Sequence, residues 1–266
     1  MHRRQFITAA AGLALCPLCA PAGFAAEGPH WGYTGDTGPD HWSHLDAASQ
    51  VCGTGAQQSP IDIGETTRAQ LPVLDVAWTR HANTIVNNGH AIQIDCGEGS
   101  TLGVGKDKYS LQQFHFHRPS EHLIGGKSFP VEAHFVHRNG AGALAVVGVL
   151  MVTGRSNPVF HKIVTTMPRE PGPPVAADTA IDPARLLPAR RSYYTYAGSL
   201  TTPPCSEIVT WLLLTNPIQV ADADIAAFAN LYPMNARPPQ KLDRRFVLRS
   251  GPGAGAASRS SRSAHF

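Results

Sequence analysis

Gln113-Phe114-His115-Phe116-His117, and after it Val131-Glu132-Ala133-His134-Phe135-Val136, decide how this chain is read. Both stretches largely alternate polar and apolar residues, the period of a β-strand. Residues two apart on a strand share a face. Gln113, His115 and His117 therefore point one way, and Phe114 and Phe116 the other. Glu132, His134 and Val136 share a face in the same manner. If the two strands are neighbours, three imidazoles converge. Three neutral nitrogen ligands leave a divalent ion with an open position, the pattern of catalytic rather than structural zinc. A lone His-x-His carries little weight, but Gln113 and Glu132 strengthen it. Each is placed to receive the second N–H of a ligating imidazole and so to fix its tautomer and orientation.

Outward from this pair the chain continues to read as strands. Thr84-Ile-Val and Ala91-Ile-Gln-Ile flank Asn87-Asn88-Gly89-His90, a hairpin around an Asn-Gly turn. Strands are expected over 109–117, 129–137, 143–152, 193–197 and 207–214. Helices are expected over 158–167 and over 222–231, the latter capped by Asp222. Residues 168–190 hold six prolines and read as a surface loop. The last sixteen residues, 251–266, are rich in Gly, Ser and Arg and read as a disordered tail. No internal repeat and no break divides residues 26–250. Periodicity alone supports a β-rich body with few helices.

The chain has 266 residues, 42% of them hydrophobic, enough for one sizeable core. Its 25 glycines and 22 prolines favour short strands and many turns. The formal charge of +3 is concentrated at the ends. Arg3, Arg4, Arg259 and Arg262 carry four positive charges, which leaves residues 26–250 at −1. Such a body is no nucleic-acid footprint and suits a small or neutral substrate. Residues 1–25 read as an export signal: Arg3-Arg4, an apolar run, then Gly23-Phe24-Ala25 as a small-x-small cleavage pattern. Arg-Arg-Gln-Phe-Ile is similar to a twin-arginine signal, with an ordinary secretory signal as the other route. The run is too short and too broken by Pro17 and Pro21 to span a bilayer. A periplasmic or secreted location follows. Cys16 and Cys19 fall in the leader, which leaves Cys52, Cys96 and Cys205. In an oxidising compartment two of these can pair. Cys52 and Cys205 both lie in loop-like, Pro/Gly-rich sequence and are paired on that ground. Cys96 ends an alternating strand as a lone thiol.

These segments, taken in order, closely resemble the α-class carbonic anhydrases over roughly residues 29–250. The resemblance is carried by His30-Trp31-Gly32-Tyr33, Gly38-Pro39-Asp40-His41-Trp42, and Gln57-Gln58-Ser59-Pro60-Ile61-Asp62-Ile63. It continues through Asn87-Asn88-Gly89-His90, Gln113-Phe-His-Phe-His117 with Pro119-Ser120-Glu121-His122, and Glu132-Ala-His-Phe-Val-His137. Gly198-Ser-Leu-Thr-Thr-Pro-Pro-Cys205, Val209-Thr210-Trp211 and Asn235-Ala-Arg237-Pro238 complete it. Any one of these could arise by chance; their joint order is specific.

The resemblance implies a mainly β fold: a large twisted, mostly antiparallel central sheet with a few short surface helices, in a single domain. It implies a zinc-dependent lyase that hydrates CO₂ to bicarbonate by attack of zinc-bound hydroxide. His115, His117 and His134 match the Zn²⁺ ligands. Thr201 matches the hydroxyl that accepts from the hydroxide, and Glu121 the carboxylate to which that hydroxyl donates. His90 matches the proton shuttle. Tyr33, Asn88 and Gln113 match the water-lined wall. Val136, Val146, Leu200 and Trp211, with Thr202 beside them, match the substrate pocket. The Cys52–Cys205 pairing agrees with bacterial members, and cis bonds are implied at Ser59-Pro60 and Pro203-Pro204. Arg118 departs from the pattern, and pairing with a nearby carboxylate is one role for it. His122 and His137 read as structural. The expected partners are CO₂ and bicarbonate, with no nucleic acid and no membrane span in the mature form. A homodimer is compatible with this reading. The competing function is a catalytically inactive binding module on the same fold. Against it stand the full histidine trio with Thr201 and Glu121. Cupin-like and His-Glu-x-x-His metalloenzymes lack their remaining motifs here.

Overall fold

Around Asn88 and Gly89 the chain reverses in the hairpin that the sequence predicts. Gly89 sits at φ +85°, a left-handed value that glycine adopts without strain. Oδ1 of Asn88 accepts from the backbone N–H of His90 and Ala91 at 2.9 and 2.8 Å, which closes the turn. The computed structural model describes residues 30–79 and 82–251. The leader expected over 1–25, and the expected tail beyond residue 251, lie outside the described residues.

Seven strands form the part of the sheet that matters for function. They are β1 (Ala82–Asn87), β2 (Ile92–Cys96), β3 (Asp107–His117), β4 (Val131–Arg138), β5 (Leu144–Thr153), β6 (Tyr193–Gly198) and β7 (Val209–Leu214). They lie side by side in the order β1-β2-β3-β4-β5-β7-β6, within a sheet of thirteen strands among the described residues. Antiparallel pairings dominate as expected, but the sheet is mixed: β5 runs parallel to β7.

A bulge in β3 decides which side chains face the site. Leu111 pairs with His137 and Gln113 with Val136, so β3 carries one extra residue between them. Before the bulge, Tyr109 and Leu111 face the main core; after it, Phe114 and Phe116 do. Strict alternation from Leu111 would have turned Gln113, His115 and His117 inward to that core. The extra residue places them on the opposite face.

The core on the Phe side contains Phe114, Phe116, Phe135, Phe160 and Phe228, all fully buried. Each contributes ~1.5–3 kcal/mol by leaving water. Two short helices supply part of the cover. Helix α1 (Pro158–Thr166) starts at Asn157, whose side chain accepts from Val159 N and Phe160 N. Helix α2 (Asp222–Ala229) differs from expectation. Ala221 is its N-cap, no side chain caps it, and Asp222 already lies within the first turn. There Asp222 and Asp224 favour the helix through its dipole instead. The stretch 168–190 is also more ordered than a loop. Val175–Ala176 adds to the sheet on β1, and Pro183–Leu186 forms a 3₁₀ turn capped by Asp182. No helix among the described residues is long and apolar enough to cross a membrane.

Candidate metal centre

β3 and β4 are adjacent and antiparallel, with His115 opposite His134 and His117 opposite Glu132. That register brings His115, His117 and His134 together. One ring nitrogen from each lies within 4.8 Å of the others. The outward-facing nitrogens are all engaged. Nδ1 of His115 is 2.8 Å from Oε1 of Gln113, Nδ1 of His117 is 2.8 Å from the Asn235 carbonyl, and Nε2 of His134 is 2.9 Å from Oε1 of Glu132. These oxygens accept only, so each imidazole donates outward and presents its other nitrogen unprotonated to the common centre. Nε2 of His117 is buried without a hydrogen-bond partner. Buried polar atoms are rarely left so, and a metal ion at the centre would satisfy it. Burial holds all three imidazoles below their ordinary range, His117 at about 4. They are thus neutral and competent to ligate near pH 7. The donor set and its protonation fit Zn²⁺.

Behind the trio lies a chain of buried polar groups. Oε1 of Glu132 also lies 2.7 Å from Nδ1 of His122, and Oε2 accepts from His122 N at 2.9 Å. Nε2 of His122 is 2.6 Å from the Tyr196 hydroxyl, which donates to Ser59 Oγ at 3.1 Å. His122 is structural as expected, and its structural role is specific: it orients the carboxylate that orients His134. It sits in a loop, where strand periodicity gives no face. Burial alone would raise the Glu132 pKa, but the adjoining imidazoles of His122 and His134 hold it well below the usual carboxylate range.

Glu121 is buried beside the trio, with Oε1 3.5 Å from Nδ1 of His117. The same oxygen accepts from the Arg237 backbone N–H at 2.8 Å. Burial raises its pKa to about 7, while His134, Arg237 N–H and the Thr201 hydroxyl favour the ionised form. No hydrogen bond of standard geometry reaches Oε2. Thr201 and Thr202 lie on the segment braced by the Cys52–Cys205 disulfide, which forms as predicted. Cys205 N–H donates to the Thr202 carbonyl at 2.8 Å. Arg237 braces the same region from below: its guanidinium donates to Gln58 Oε1, the Ser59 carbonyl and the Cys52 carbonyl.

A cavity of about 130 Å³ opens onto His115 and His117. His115, His117, Gln113, Tyr33, Asn88, His90, Thr202 and Trp31 are among the residues that line it. The His90 ring stacks on Trp31 at 3.7 Å between centroids and 7° between planes. Asn88 lies in the lining, but its carbonyl oxygen is spent on the turn. The Tyr33 hydroxyl is buried without a hydrogen bond, and burial, with Glu121 next, pushes its pKa well up.

The four residues expected to form an apolar wall cluster together, though none of them is among the residues lining this cavity. Val136, Val146 and Trp211 sit opposite one another across β4, β5 and β7, and Leu200 packs against the same cluster. The Trp211 and His134 rings are 4.8 Å apart. Among the described residues Arg118 meets no carboxylate: its guanidinium donates to the Pro233 carbonyl. Cis bonds occur at Ser59-Pro60 and Pro203-Pro204, and at Arg118-Pro119, which was not expected. No periodicity in the sequence marks a role for Asn235, Arg237, Tyr196 or Ser59, because their partners lie far away along the chain.

Comparison with known proteins agrees with this geometry. Residues 37–251 match the family model described as eukaryotic-type carbonic anhydrase. The carbonic anhydrase of Pectobacterium carotovorum is 39% identical over 225 residues, covering 84% of this chain and 92% of that protein. That of Neisseria gonorrhoeae is 41% identical over 234 residues, covering 86% and 92%. The structure of α-carbonic anhydrase from Thermovibrio ammonificans, in complex with the inhibitor sulfanilamide, superimposes with a TM-score of 0.81. The two chains are 42% identical, covering 83% of this chain and 99% of that one.

Proposed function

The chain belongs to the eukaryotic-type, α-class carbonic anhydrases, enzymes acting on CO₂ and bicarbonate, and from that premise we propose a zinc site and a proton route for it. His115, His117 and His134 would hold Zn²⁺, each through the ring nitrogen turned away from its outer partner: Nε2, Nε2 and Nδ1. The carrying observation is that all three outer nitrogens are engaged by acceptors while the inner ones converge. When bound, the ion supplies a Lewis acid that lowers the pKa of water to ~7, a value for which carbonic anhydrase is itself the reference case.

The protein's own residues do the rest. In its ionised form Glu121 accepts only, so a Thr201 hydroxyl that donates to it can only accept from the nucleophile. This orients a lone pair toward the substrate. Val136, Val146, Leu200 and Trp211 give CO₂, which has no net dipole, an apolar surface beside the metal. His90 lines the cavity and carries the released proton to buffer. Imidazole is the side chain whose ordinary titration falls nearest neutral pH. Tyr33, Asn88, Gln113 and Thr202 line the wet side.

Residues 1–25 direct export and are removed, and residues 26–250 form the catalytic body in the periplasm or outside the cell. The disulfide, which needs an oxidising compartment, supports this. The test is metal analysis of the purified mature protein paired with stopped-flow CO₂ hydration. One zinc per chain and metal-dependent hydration are expected. A folded, zinc-loaded sample with no rate above buffer overturns the reading.

A further inference from the structure

The side chain of Asn235 joins two parts of the site that lie apart in sequence. Its Nδ2 donates to the carbonyl of His90 and to the carbonyl of Phe116, each at 3.0 Å. Its Oδ1 accepts from Arg118 N–H at 2.7 Å. Its own carbonyl is the acceptor that orients His117. Phe116 lies between two of the metal-site histidines, and Arg118 follows the second. One fully buried carboxamide thus spans from the end of β3 to the turn that presents His90.

The consequences for His90 are specific. Its N–H is held by Asn88 within the hairpin, and its carbonyl is held by Asn235 from outside it. The same C-terminal segment grips the turn a second time: the Tyr232 hydroxyl donates to Asn87 Oδ1 at 2.5 Å. A two-residue turn on a sheet hairpin would otherwise move with the hairpin tip. Both its backbone N–H and its backbone carbonyl are thus held, and its ring lines the cavity stacked on Trp31. Asn is the residue type this junction needs. It requires two donors and one acceptor in one planar group, and a carboxamide supplies them without charge.

We infer that Asn235 is a positioning residue for proton export, setting the distance and exposure of His90 relative to the metal-site histidines through its carboxamide. This rests on the reading of the site as a zinc hydratase with His90 as shuttle. Asn235→Asp keeps the size, the main-chain carbonyl and one acceptor, and removes both Nδ2 donations. Asn235→Ser, smaller and uncharged, stands in if the first variant does not fold.

The measurement is stopped-flow CO₂ hydration at low and high imidazole, with zinc content determined for each protein. In weak buffer kcat is expected to fall about fivefold or more, while kcat/KM falls by less than half. Added imidazole should restore kcat. In the double variant with His90→Ala, the Asn235 change should cost no further kcat, because residues acting as a unit are not additive. Equal losses in kcat and kcat/KM without imidazole rescue overturn the inference, as does additivity with His90→Ala or an unchanged kcat. An inactive wild type, or a His90→Ala variant that imidazole does not rescue, instead overturns the underlying reading and this inference with it.

Discussion

Nε2 of His134 lies 2.9 Å from Oε1 of Glu132, and that oxygen also lies 2.7 Å from Nδ1 of His122. One buried carboxylate oxygen thus orients two imidazoles, only one of which faces the proposed metal position. Glu132 must stay ionised to do so, and the two imidazoles hold it in that form.

Glu132→Gln is therefore expected to weaken zinc binding. Gln offers one acceptor and two donors, so it cannot accept from both rings and from His122 N–H as the carboxylate does. A loss of about 10–100-fold in zinc affinity is the magnitude for such partners, a range drawn in part from this same enzyme family. Competition with a chelator of known affinity measures it. Unchanged affinity would mean that His134 orients itself without Glu132.

Thr201→Val keeps shape and removes the hydroxyl. With zinc content unchanged, kcat/KM for CO₂ should fall by about 10²-fold, the usual cost of losing one group that orients charge at a reacting centre. Stopped-flow hydration with parallel metal analysis checks this. A full-rate variant removes Thr201 from the mechanism.

The disulfide joins residues 153 apart. Replacing both Cys52 and Cys205 by Ala should lower unfolding free energy by about 2–5 kcal/mol. Urea denaturation of oxidised, reduced and double-Ala protein is the measurement. The reduced and double-Ala forms should coincide. Because the bridge braces the segment carrying Thr201, activity in both should fall before global unfolding begins.

His137 lies fully buried on the face away from the metal site, against Trp78 at 5.4 Å. Burial lowers its pKa to about 4, and the Ala145 carbonyl only partly offsets this. A depressed folded-state pKa means the unfolded chain binds the proton first. Its contribution to stability is thus complete above about pH 6.5 and is lost as pH falls toward 4. The loss over that window is on the order of 3 kcal/mol. His137→Phe should flatten the acid limb of the stability curve between those pH values. Identical pH curves for wild type and variant would falsify this assignment.

What was readable in advance follows from periodicity and from local chemistry. The alternation in 113–117 and 131–136 determined two strands and the face of each histidine. The Asn-Gly turn determined the hairpin that presents His90. The Pro/Gly-rich settings of Cys52 and Cys205 indicated their pairing, and the order of the matched segments indicated the family. These signals act over a few residues or survive as fixed spacing.

Only the tertiary structure decided what holds those side chains in place. Asn235 reaches His117 from 118 positions away, and Arg237 reaches Cys52 from 185. His122, in a loop, finds Glu132 and Tyr196. The extra residue between Leu111 and Gln113 appears only as two adjacent glutamines, yet it turns the metal-site face away from the main core. A hydrogen bond between distant segments leaves no period in the chain. Its existence depends on which strands become neighbours and in what register, and packing of the whole sheet settles that.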